Sequence, residues 1–250
     1  GNQIHNADVF LADGEPDWWT SVDMSKYQGK TARVEIDRMR PGSKGLAMLE
    51  TSDERRHLMP LYDEPHRPQL RFSQMRGWNN DPNGMVWFDG EYHLFWQSNP
   101  FGPEWANMYW GHAVSRDLLH WKELPWALYP RVQAVDKCFS GSANIDKLNT
   151  AGWQSGDEPP MVAAFTDTGC GEAIAYSNDN GRTWTYYEGN PIIEHQGRDP
   201  KLLWYEPGKH WVIAVYDEFE GKQYIAFYTS TNLKDWELRS RIEGFFECPE

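Results

Sequence analysis

One short pattern occurs three times in the chain and constrains its fold more than any other feature. Ala113–Trp121, Ala175–Trp184 and Phe227–Trp236 each run from an apolar strand end through a small hydroxyl residue and a polar turn to a Trp that opens the next strand. The anchors Trp121, Trp184 and Trp236 stand 63 and 52 residues apart, the length of a four-stranded blade with its loops, and repeats of that period indicate a β-propeller. Helical periodicity is almost absent, whereas short β-branched and aromatic runs bounded by Gly, Asp, Asn and Pro recur throughout, so the fold class is all-β.

Local signals place individual hairpins. Met85–Phe88 and Glu91–Trp96 flank Asp89-Gly90, a pair able to take the positive φ angles of a two-residue turn. Lys201–Tyr205 turns through Glu206-Pro207-Gly208-Lys209 and returns as His210–Val215. Before about residue 60 the blade pattern is missing. Thr31–Asp37 alternates polar and apolar residues as a half-exposed strand does, which predicts a small β-sandwich-like appendage over 1–60, a junction at Asp63–Pro68 and propeller blades over 61–250.

Charge and composition exclude several classes. Lys and Arg number 24 against 37 Asp and Glu, a net charge of -13 with no basic run to follow a phosphate backbone, so nucleic acid is not an expected partner. No apolar stretch is long enough to span a bilayer and the first residues do not read as a signal peptide, so a soluble chain without membrane insertion is expected. Cys138, Cys170 and Cys248 are too scattered for a disulfide framework or a metal site and read as buried thiols; neither metal nor cofactor is expected. The 14 Trp have two explanations, interior packing of a β fold and stacking on sugar faces, and both stay open.

Three acids followed closely by Pro lie at predicted strand edges: Asp81-Pro82 within Trp78–Gly84, Asp199-Pro200 after Gly197-Arg198, and Glu247-Cys248-Pro249. Taken alone, Asp81-Pro82-Asn83-Gly84 fits a type I turn. Three such acids in three separate blades would instead converge on the propeller axis around a small ligand.

These residues resemble glycoside hydrolase family 32, which includes invertases, levanases, inulinases and fructan β-fructosidases. Trp78–Gly84 matches the family's Trp-Met-Asn-Asp-Pro-Asn-Gly with Asn79 in place of Met; Arg198-Asp199-Pro200 and Glu247-Cys248-Pro249 match its other two acidic motifs. Tyr92–Pro100, Trp110–Ser115 and Phe139–Ala143 fall in the right order between them. The resemblance implies a five-bladed propeller followed by a β-sandwich, of which this chain holds about three blades, so a piece of a longer protein is expected. It assigns Asp81 as nucleophile, Glu247 as general acid/base and Asp199, beside Arg198, as stabiliser of the transition state. It also implies a fructose pocket lined by Asn80, Gln97, Trp105, Trp110, Phe139 and Ser140.

General chemistry agrees with that division. A fructosyl transition state has oxocarbenium character and needs one carboxylate beneath the anomeric carbon and a protonated acid at the leaving oxygen. An ionised carboxylate nearby raises the pKa of Glu247 and keeps it protonated. Retention predicts a separation of roughly 5 to 5.5 Å between the Asp81 and Glu247 carboxyls. Gln97, an amide inside an apolar run, favours a polar contact, Phe139 serves core or sugar equally, and His93 and His112 read as hydrogen-bonded core histidines. The implied function is hydrolysis of fructans or sucrose by an exported protein, extracellular or periplasmic. Fructosyl transfer and non-catalytic sugar binding are the alternatives, and oligomeric state is left open.

Overall fold

The structure, a computed structural model, describes residues 4–16, 18–54, 62–130, 137–244 and 249. Among these residues twelve strands form three four-stranded antiparallel sheets, each a meander in chain order. The first holds β1 (Trp78–Phe88), β2 (Glu91–Asn99), β3 (Tyr109–Ser115) and β4 (Trp121–Leu128); the second holds β5 (Cys138–Ile145), β6 (Met161–Asp167), β7 (Gly171–Ser177) and the short β8 (Thr185–Tyr186). The third holds β9 (Arg198–Tyr205), β10 (His210–Phe219), β11 (Lys222–Ser230) and β12 (Glu237–Glu243).

The repeat is one hydrogen-bonded turn made three times, always between the third and fourth strands of a sheet. In the first, the Ser115 hydroxyl accepts from Leu118 N–H (2.8 Å), Asp117 accepts from Leu119 and His120, and the Trp121 indole donates to the Leu118 carbonyl. Ser177, Asp179 and Trp184 repeat this around Gly181, and Ser230, Asn232 and Trp236 around Leu233. Each turn has a residue at positive φ at the equivalent place, Leu118 (65°), Gly181 (74°) and Leu233 (63°), and the second turn has Asn180 (54°) as well. The two expected hairpins also form. Asp89 and Gly90 take φ of 46° and 76° between the paired Phe88 and Glu91, and Lys209 takes 52° before His210.

The middle sheet is covered on both faces. Met161, Ala163 and Phe165 of β6 join Val86, Phe95, Trp110 and Leu128 of the first sheet in one apolar cluster; Val162 and Ala164 face the other way and join Leu202, Trp211, Ile213 and Val215 of the third. That is why Met161–Phe165 is uniformly apolar instead of alternating.

Ahead of β1 the structure departs from the sequence expectation. Among the described residues before Trp78 there is no strand, only two 3-10 turns at Ser25–Tyr27 and Gly45–Met48. Thr31–Asp37 is exposed throughout, with Val34 at 70%. Alternation gives a strand two different faces, but a strand also needs a neighbour for its N–H and C=O groups, and none lies beside this segment among the described residues. The expected junction is well packed. The Arg67 guanidinium binds Glu64 twice and donates to the Gln74 and Met75 carbonyls, while Phe72 packs against Trp96 and Trp121 on the first sheet. Further upstream, residues 5–10 lie on the loop after β2. Asn107 bonds the backbone N–H and C=O of Asp8, Phe10 N–H donates to the Phe101 carbonyl, and His5 stacks edge-on against Phe101. No described helix is long and apolar enough to cross a membrane.

Candidate active site

The first strands of the three sheets, β1, β5 and β9, lie side by side, and each carries the same irregularity near its start. Two residues oppose one on the partner strand: Asn80 and Asp81 oppose Gln97, Phe139 and Ser140 oppose Thr166, and Asp199 and Pro200 oppose Val215. Such bulges leave a residue out of the ladder and re-aim its side chain. Pro200 suits its bulge because Pro has no N–H to give a ladder, and Pro82 follows directly on the first bulge, opposite Trp96. The Asp81–Gly84 sequence is therefore an irregular stretch of β1 and not the isolated type I turn its composition also fits. Gly197 and Gly141 let the strands close at these points, since a Cβ at either would fall on the carbonyl oxygen of Tyr216 or Ala164.

The three bulges open on one cleft of about 140 Å³ lined by Trp78, Asn80, Asp81, Gln97, Trp105, Met108, Phe139, Ser140, Arg198 and Asp199. The Asp81 carboxylate accepts a 2.8 Å hydrogen bond from the Ser140 hydroxyl. Asp199 is buried at φ 64°, and its carboxylate lies 3.2 Å from Arg198 Nε. Both amide atoms of the buried Gln97 have no hydrogen-bond partner among the described residues. Trp105, 55% exposed, stands edge-on to Phe139 with the Lys137 ammonium 5.4 Å from its ring, forming an apolar wall. Asn79, the departure from the family motif, is exposed and does not line the cleft.

One expected pocket residue is elsewhere. Trp110 is fully buried in the core between the first two sheets, and its indole donates to the Phe139 carbonyl at 2.9 Å. The inward face of β3 points into that interface, so Trp110 supports the wall without reaching the cleft. Glu247 and Cys248 lie outside the described residues. His93 and His112 are core histidines joined nitrogen to nitrogen at 3.1 Å. The Cys138 thiol is buried, while that of Cys170 is partly exposed and pushed up to about 11 by burial and by Asp167. Among the described residues no group of three His, Cys, Asp or Glu side chains could hold a metal ion.

Sequence reasoning missed Trp78 and Met108 as lining residues and a buried polar chain behind Asp199. The Asp199 N–H donates to Thr166 Oγ1 (2.7 Å), and that hydroxyl lies 3.0 and 3.1 Å from the two oxygens of Glu172. His195 Nε2 is 2.8 Å from Glu172, its Nδ1 is 3.4 Å from Asp217, and Arg241 binds Asp217 at 2.8 Å. Burial pushes Glu172 above the usual carboxylate range; it also draws His195 down, but Glu172 and Asp217 outweigh it and the imidazole is raised overall.

Residues 72–250 match the family model described as the glycosyl hydrolases family 32 N-terminal domain. A levanase of Bacillus subtilis is 49% identical over 203 residues, covering 76% of this chain and 29% of its own. An extracellular exo-inulinase of Aspergillus awamori is 39% identical over 224 residues, covering 75% and 41%. The crystal structure of exo-inulinase from Aspergillus awamori superposes with a TM-score of 0.66 at 40% identity, over 72% of this chain and 40% of that one. The chain thus spans well under half the length of these relatives.

Proposed function

Because the chain belongs to glycosyl hydrolase family 32, we propose that it forms the fructose-binding part of a retaining β-fructofuranosidase acting on terminal fructosyl units of levan, inulin or sucrose. The observation that carries this reading is the cleft itself. Carboxylates from two sheets, Asp81 and Asp199, face one space with the Gln97 amide, which has no partner among the described residues, and the apolar wall of Trp105 and Phe139. A sugar ring offers hydroxyls to the first three and C–H faces to the last two.

In this reading Asp81 attacks the anomeric carbon while Glu247 gives its proton to the leaving glycosidic oxygen, so the C–O bond breaks and the fructosyl unit remains as an ester of Asp81. A water then loses a proton to Glu247 and adds to the same carbon, releasing fructose and restoring the Asp81 carboxylate. Asp199 and Arg198 hold the ring hydroxyls through both steps. The three sheets are consecutive blades of a five-bladed propeller, and the enzyme works outside the cytoplasm, in keeping with the extracellular relative.

The test is incubation of the full-length protein with levan, inulin and sucrose separately. Free fructose from at least one of them, abolished by Asp81→Asn, is the expected result. Fructosyl-extended products without free fructose would replace hydrolysis by transfer, and no product at all from folded protein would leave sugar binding alone.

A further inference from the structure

Asp199 is a non-glycine residue in the left-handed region (φ 64°), buried, and placed in a bulge. Such a conformation is strained for a residue with a Cβ and persists only where the surroundings hold it. The ladder gives little help. The register runs from Arg198 with Tyr216 to Lys201 with Ala214, so Asp199 falls within the register shift against β10, and Pro200 has no N–H.

Its backbone N–H instead reaches across to the neighbouring sheet and donates to Thr166 Oγ1 at 2.7 Å. A threonine hydroxyl has one proton. Here it points to the Glu172 carboxylate, 3.0 and 3.1 Å away, which leaves the oxygen lone pairs facing Asp199. Glu172 is 0% exposed and is held by His195 at 2.8 Å. The same imidazole accepts the Gly197 N–H at 3.1 Å, two residues before Asp199.

From this geometry we propose that Thr166 and Glu172 are positioning residues for Asp199: Glu172 orients the Thr166 hydroxyl, and the hydroxyl fixes the backbone conformation that aims the Asp199 carboxylate into the cleft. The proposal rests on the hydrolase reading above for its kinetic consequence but not for its structural one. A buried network that merely stabilised the contact between two sheets would affect folding and leave turnover by the folded enzyme unchanged.

The experiment uses the full-length protein and compares Thr166→Val, which keeps the shape and removes the hydroxyl, with Thr166→Ser, which restores the hydroxyl, and with Glu172→Gln. Two readouts are taken: kcat and KM for fructose release, and deuterium uptake by the peptide spanning Gly197 to Lys201. Thr166→Val should lower kcat by about 10- to 100-fold with KM changed by less than about 3-fold, and should speed exchange in that peptide; Thr166→Ser should recover both to within about 2-fold. Glu172→Gln should lower kcat by about 10-fold and decides the matter if the valine variant does not fold. Wild-type turnover and exchange in Thr166→Val, or wild-type turnover in a folded Glu172→Gln, would overturn the proposal. If the wild type releases no fructose, the hydrolase reading fails, and exchange at Gly197–Lys201 alone decides whether Thr166 holds Asp199.

Discussion

Gln97 sits at 3% exposure with neither amide atom bonded among the described residues, directly opposite the bulge that presents Asp81. A buried amide without a partner costs about 1–3 kcal/mol, so the residue lowers stability where it stands, and in the proposed function its free amide is what a sugar hydroxyl would bond. Gln97→Leu should therefore raise the melting temperature, by about 1 kcal/mol in stability, while raising KM for the fructosyl donor by more than about 10-fold. Thermal melts and steady-state kinetics on the same preparation check both halves. A variant that is less stable and still binds normally would mean that the amide is a core group. Residue-level reading of the sequence picked out residues that meet at this cleft because they stand on short local motifs: Asn80-Asp81, Phe139-Ser140 and Asp199-Pro200 each occupy one bulge. It did poorly one layer back. Thr166 lies at the end of an apolar strand and Glu172 and His195 sit in ordinary-looking segments, and what joins them is the register between separate sheets, which no local pattern encodes.

At the scale of elements, the loop between β2 and β3 carries the Trp105 wall, and the upstream segment pins that loop. Asn107 bonds both backbone groups of Asp8 and also donates to Asn99, whose own side chain donates to the Glu104 carbonyl beside Trp105. Asn107→Ala should loosen this loop and raise KM by about 3- to 10-fold, with kcat little changed, because the wall contributes to binding more than to the chemical step. An unchanged KM would make the N-terminal segment irrelevant to the pocket. The three Trp turns were legible in the sequence because their hydrogen bonds demand a fixed order of residue types: a hydroxyl, an Asp or Asn, and an indole to close the turn. Val34 and Ile36 were misleading for the opposite reason. Their spacing satisfies a strand, but a sheet also requires a second segment, and the described residues provide none there.

At the scale of the molecule, the core between the first two sheets contains two imidazoles that favour the neutral form. Burial, aided by Arg182, depresses His93 to about 4, and burial together with His93 holds His112 well below its ordinary value. A group with a depressed folded pKa binds fewer protons folded than unfolded, so stability falls as pH drops from the unfolded histidine value of about 6.5 toward about 4. His195 and Glu172, which are raised, work in the other direction, but the His195 contribution is complete by about pH 6.5, so Glu172 alone opposes the two histidines as pH falls below that value. The melting temperature should decline between about pH 6.5 and about pH 4.5, before most carboxylates titrate; a flat profile over that range would contradict the neutral pair. The most direct test of the whole account concerns Asp81. Full-length protein carrying Glu247→Ala, in which hydrolysis of the ester is slowed, is mixed with β-fructofuranosyl fluoride, whose leaving group departs without a proton from Glu247, then quenched in acid and digested for mass spectrometry. A fructosyl ester on the peptide containing Asp81, absent when Asp81→Asn is added, is the expected result; an ester on a different carboxylate, or fructose release that survives Asp81→Asn, would rule out Asp81 as the nucleophile.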